Sequence, residues 1–85
     1  MGDYIIITGR TKADLIWAWS RRHLQNQPKM IYANIMNIDP AEHKLKTLNK
    51  LALANFVESD LTQVGHLVQH GINCVWFKSL YKHNR

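Results

Sequence analysis

Tyr4, Ile5, Ile6, Ile7 and Thr8 form an unbroken run of aromatic and β-branched residues, the types that suit a pleated surface. The run does not alternate between apolar and polar positions, which predicts a strand covered on both faces. Gly9 ends it. Thr11 then has the chemistry of a helix N-cap, and Asp14, three residues on, completes a capping-box variant while its charge complements the positive end of the helix dipole. The helix predicted over residues 12–25 has a wide apolar arc. Leu15, Ile16, Trp17, Trp19 and Leu24 spread over more than half the circumference, interrupted by Ser20 and His23, and Asp14, Arg21, Arg22 and Gln25 share the remaining strip. A helix this apolar is expected either to wedge between a sheet and another element or to lie at a subunit interface.

A polar turn at Asn26, Gln27 and Pro28 leads to a second apolar stretch, residues 30–38. It carries apolar side chains in both alternating sets, and Asn34 and Asn37 point to a less covered strand than the first. Asp39, Pro40 and Glu42 give the sharpest helix start in the chain: a capping carboxylate, a proline where no N–H is needed, and an acid to close the box. The helix is predicted to run to about Val57, with Ala41, Leu45, Leu48, Ala52 and Phe56 facing the core and His43, Lys46, Thr47 and Lys50 on the outer side. Asp60 caps a third helix with Leu61, Val64, Leu67 and Val68 inward, and Gly71 supplies its left-handed stop. Residues 72–81 read as a third strand, and residues 82–85 as a polar basic tail.

The resulting order is β-α-β-α-α-β. Strands separated by helices favour parallel pairing through right-handed crossovers. The expectation is one α/β domain: a small, mainly parallel three-stranded sheet of order 2-1-3 with three helices on its two faces. Eighty-five residues and an apolar fraction of 46% suit one folded unit with a modest core. No apolar stretch approaches the length of a membrane span, and the first residues lack the basic start of a secretory signal. One cysteine excludes an internal disulfide framework and fits a reducing, cytoplasmic setting.

The net charge of +5 favours polyanionic partners. His43, Lys46 and Lys50 on one helix, with Lys78, Lys82 and Arg85 near the end of the chain, are the candidate contacts to nucleic acid. Residues 62–82 also fit the spacing of a helix-turn-helix through Leu67, Gly71, Ile72, Phe77 and Leu80, although Val75, Trp76 and Phe77 suit a strand better. The Gly9-Arg10-Thr11-Lys12 turn, between strand and helix, is a candidate site for a small phosphorylated ligand; it matches neither the Walker pattern nor G-x-G-x-x-G. Trp17, Trp19, Arg21 and Arg22 form a candidate protein interface, suited to a homodimer or to an interaction module or inhibitor acting on a protein target.

Catalytic chemistry is not indicated. Of six acids, Asp14, Asp39, Glu42 and Asp60 are explained as helix-start residues, and Glu58 sits at a break. That leaves no pair of carboxylates in contrasting environments. His66 and His70, one turn apart, with Cys74 four residues later, have zinc-compatible spacing, but a fourth ligand is absent and no cofactor is expected. Cys74 lies in an apolar strand, where a thiol is usually inert. The sequence therefore predicts a small, basic, non-enzymatic binding protein, with nucleic acid as the leading partner.

Overall fold

The structure is a computed structural model that describes residues 4–76. Lys78, Lys82 and Arg85 lie outside that range. The elements run β1 (Ile5–Ile7), α1 (Asp14–His23), β2 (Met30–Tyr32), α2 (Pro40–Lys50), β3 (Asn55–Glu58), α3 (Leu61–Gln69) and β4 (Asn73–Trp76). β1 pairs with β2 in parallel, Ile6 opposite Ile31. β3 pairs with β4 in parallel, Phe56 opposite Cys74 and Val57 opposite Val75. The first ladder continues past both ends of β1, with Lys29 N donating to Tyr4 O at 2.8 Å and Thr8 N donating to Tyr32 O at 3.1 Å. The β-branched run thus behaves as a strand over its whole length.

The expected three-stranded sheet is not formed. The molecule is α/β, but among the described residues four strands make two separate two-stranded parallel sheets. The difference arises at residues 52–58, expected as the end of the second helix and found as the approach to β3 and β3 itself. α2 stops at Lys50 because Ala52 adopts a left-handed backbone (φ 58). Ala52 N then donates to Asn49 O at 3.1 Å and Leu53 N to Leu48 O at 2.8 Å. These paired bonds are a Schellman stop. α3 ends in the same way: Gly71 (φ 86) donates to Val68 O at 3.0 Å, and Ile72 N donates to Leu67 O at 3.0 Å. The glycine announces the second stop in the sequence; the alanine conceals the first.

Ile7, Leu45, Leu48, Leu67 and Ile72 make the buried core, with Ile5, Tyr32, Phe56 and Cys74 packed against it. Both sheets thus contribute to one core through the inner faces of α2 and α3. Ile5 and Ile7 of β1 and Phe56 and Val57 of β3 also line a shared hollow of about 480 Å³. Asn73 and Val75 of β4, within the stretch expected as the strand beside β1, line the same hollow, so that strand stands across a gap from β1.

The first helix departs most from expectation. Its N-cap is Ala13, without a side-chain cap bond, rather than Thr11. Of its residues only Ser20 is buried. Ile16 and Trp17 are half-buried, and Leu15 and Trp19 are exposed. The apolar arc is thus only partly covered, with Leu15 and Trp19 presented outward, and the serine that interrupts it faces in.

Candidate functional site

The carboxyl end of β1 is fixed by one buried side chain. Asn34, after β2, is 1% exposed. Its Nδ2 donates to Ile38 O at 2.6 Å and, over a long 3.4 Å, to Gly9 O, while its Oδ1 accepts from Ile38 N at 3.1 Å. Its backbone N–H donates to Arg10 O at 2.8 Å. Gly9 lies under the first residue of α2, where a Cβ would come within 2.9 Å of Pro40 Cβ. Residues 9 and 10 are therefore held to the loop before α2. The chain turns into α1 only after this tether, and the helix starts at Asp14, later than the capping pattern predicts. Arg10 N donates to Thr8 Oγ1 at 3.2 Å, so that amide is not left for an anion. Arg10, Thr11 and Lys12 are exposed.

Three adjoining hollows meet on this side of α1. The largest, about 490 Å³, is lined by Ile6, Ile7, Thr8, Arg10, Leu15, Ile16, Trp19 and Lys44. A second, about 300 Å³, lies over Gly9, Arg10, Thr11, Lys12 and Leu15. A third, about 420 Å³, is bounded by Leu15, Ala18, Trp19, Arg22 and His23. Leu15 borders all three. Trp19, 42% exposed, stands between the first and third, its ring 5.3 Å from that of His23. The result is an aromatic and aliphatic strip with Arg10 and Lys12 at one end and Arg22 at the other. Among the described residues, no carboxylate lines these hollows.

Lys44 reaches this strip from α2. It is 8% exposed and its Nζ lies 2.6 Å from Oε1 of Glu58, itself 7% exposed. Oε2 of Glu58 accepts from Ser59 N at 3.1 Å and Asp60 N at 3.0 Å. The Phe56 ring centre is 6.0 Å from the ammonium. A buried charge must be paired and hydrogen-bonded to persist, and this pair meets both conditions. Cys74 lies close enough to feel it. Burial pushes its thiol pKa up, the Glu58 charge adds to the rise, and Lys44 opposes it. The thiol is held protonated, the opposite of what a nucleophilic cysteine requires. No protein family, curated protein or solved structure matches this chain.

The other sequence-predicted residues divide clearly. Trp19, Arg21 and Arg22 are exposed on α1, and Trp17 is half-buried. Lys46 and Lys50 are exposed, but His43 is half-buried with its Nε2 3.2 Å from Tyr32 O, so it does not join them as an outward contact. The helix-turn-helix is not formed within the described residues, because residues 73–76 are strand β4 rather than the start of a recognition helix. His66 and His70 stack at 4.5 Å between ring centres. His70 Nδ1 is 2.9 Å from His66 O, and His66 Nε2 is 3.4 Å from Glu42 Oε1 without hydrogen-bond geometry. Cys74 follows the turn at Gly71 into β4 and does not join them. Among the described residues no group of three or more His, Cys, Asp or Glu could hold a metal ion. Nor is any described helix long and apolar enough to cross a membrane.

Lys44 and Glu58 were not singled out by the sequence reading. A signal was available. Lys44 lies three residues after Ala41 and four before Leu48, on the core-facing stripe of α2, where a solvated lysine is out of place.

Proposed function

We propose that this is a non-enzymatic protein that binds single-stranded nucleic acid along the outer face of α1. The observation that carries the reading is Trp19, half-open to solvent between cations and with no carboxylate lining the hollows around it. Sequence-tolerant strand binding needs this combination: an aromatic face on which a base stacks, and flanking cations for the phosphates. This reading puts the phosphate contacts on the Arg10–Lys12 turn and Arg22, rather than on the set His43, Lys46, Lys50, Lys78, Lys82 and Arg85 named from the sequence. The remaining chemistry is consistent with binding alone. Asp39 and Asp60 cap helices, accepting from Glu42 N and Thr62 N, Glu58 is tied to Lys44, and the one thiol is held protonated.

The test is fluorescence anisotropy with a labelled single-stranded oligomer over a salt series. Contact with about three phosphates, one each for Arg10, Lys12 and Arg22, gives a slope of log K against log salt near −2. Trp19→Ala should weaken binding at least about fivefold, the lower end for loss of one stacked base. Affinity that is flat in salt, or absent at low salt, rules the reading out. A second reading rests on the same exposed Leu15 and Trp19 beside Arg21 and Arg22: these residues have the composition of a protein-interface anchor, and a second copy of the chain is the simplest occupant. Sedimentation of the free protein separates the two, since a dimer built on this face would dissociate in Trp19→Ala.

A further inference from the structure

We infer that the 490 Å³ hollow beside Trp19 takes one unstacked nucleotide whose base carries a carbonyl, with Lys44 as the donor that reads it. The inference rests on the strand-binding reading and goes further, to the identity of the preferred base. The hollow is of small-ligand size. Its walls are aliphatic and aromatic, from Ile6, Ile7, Leu15, Ile16 and Trp19, and Arg10 stands at its border with the outer turn, where the nucleotide's phosphate would lie.

The wall residue that distinguishes the hollow from a plain apolar slot is Lys44. An ammonium carries three donors. One goes to Glu58 Oε1 at 2.6 Å, and among the described residues Lys44 has no second hydrogen-bond partner. A side chain 10% exposed leaves the remaining donors little access to water. A carbonyl brought into the hollow would supply the missing acceptor, and in a site of low dielectric that bond is stronger than in water. Glu58 does not compete for the ligand, because its other oxygen is held by Ser59 N and Asp60 N. Thymine, uracil, guanine and cytosine each carry a carbonyl, whereas adenine carries none and offers only ring nitrogens as acceptors, beside an amino group that opposes the ammonium donor to donor.

The experiment compares three oligomers of equal length and phosphate number: oligothymidylate, oligoadenylate and a fully abasic chain. It needs no variant for its first result. Oligothymidylate is expected to bind roughly tenfold more tightly than oligoadenylate, the scale of one hydrogen bond to a charged group, and the abasic chain weakest of all, with the same salt slope for each. Two variants then locate the effect. Lys44→Met/Glu58→Leu, which removes the pair together, and Ile16→Phe, which fills the hollow, should each bring oligothymidylate to the level of oligoadenylate. Equal binding of the two oligomers by the parent protein overturns the inference while strand binding stands, as does a thymine preference that survives both variants. Failure of all three oligomers to bind at low salt removes the strand reading as well.

Discussion

Replacing Glu58 with leucine would strand a buried ammonium. Lys44 is 8% exposed and Glu58 is its one hydrogen-bond partner among the described residues. Removing one member of a buried pair costs about 3–5 kcal/mol, because the other charge remains desolvated and uncompensated. The two single variants should differ. In Lys44→Met the carboxylate keeps two backbone donors, Ser59 N and Asp60 N, so the loss should fall near about 3 kcal/mol. In Glu58→Leu the ammonium keeps only the Phe56 ring face, 6.0 Å away, a contact of about 1 kcal/mol at most sites, and the loss should approach about 5 kcal/mol. The double variant Lys44→Met/Glu58→Leu removes both charges and leaves apolar side chains of similar size, so it should return to within about 1–2 kcal/mol of the parent. Urea unfolding followed by tryptophan fluorescence reads all four proteins. With a slope of about 1–1.5 kcal/mol per M for a chain this short, a loss of about 3 kcal/mol moves the midpoint by roughly 2–3 M. Additive single variants, or a Lys44→Met cost under about 1 kcal/mol, would mean that the pair is solvated and that the burial argument is wrong.

Three further outcomes follow from particular residues. Ala52→Gly should stabilise the protein by about 0.5–1 kcal/mol in urea unfolding, since the left-handed backbone at φ 58 costs an L-residue about 1–2 kcal/mol and glycine gives back part of that in unfolded-state entropy; no gain would mean that the α2 stop is not held in that geometry. Asn34→Ala should cost about 1–3 kcal/mol, because it leaves the half-buried Ile38 N–H and C=O without their partner, and amide exchange at Ile38 should accelerate with it. The raised thiol pKa of Cys74 gives the folded state a firmer hold on that proton than the unfolded state has. Its contribution to stability is complete below the ordinary thiol range, about 8.5, and is lost as pH rises through the folded value. Wild type should therefore lose more urea resistance than Cys74→Ala between about pH 8 and 10, and parallel profiles would contradict the assignment.

Much of the frame was legible because local chemistry and final structure agree. The run from Tyr4 to Thr8 forms its ladder along its full length. Asp39 caps α2 with Pro40 in the first turn, Asp60 caps α3, and Gly71 ends it. The misses have two causes, a local backbone state that the side chain does not signal and contacts between segments distant in the chain. Ala52 adopts a glycine-like backbone that its side chain does not advertise, so β3 was absorbed into the preceding helix and the sheet was drawn with three strands. Thr11 has the side chain of a cap, but the helix begins two residues later, after a turn whose Arg10 O is held by Asn34, more than twenty residues away. Ser20 interrupts an apolar arc in sequence and is buried in space, while Leu15 and Trp19 lie open. For the site, the cations of the Arg10–Lys12 turn and the aromatics of α1 were both noticed, but as two separate candidates. Only the fold shows that they border the same hollows, and only the position of Lys44 on the inner stripe of α2 could have tied them to the core.

The gap between β1 and β3 bears on how the molecule comes apart. No hydrogen-bonded ladder joins the β1–β2 pair to the β3–β4 pair, so the halves are coupled through side-chain packing around Leu45, Leu48 and Leu67. Amide protons of Ile31 and of Cys74 should accordingly exchange through different openings, each half loosening without unzipping the other. A protein arranged in this way can let its β1–β2 half breathe while the β3–β4 half stays closed.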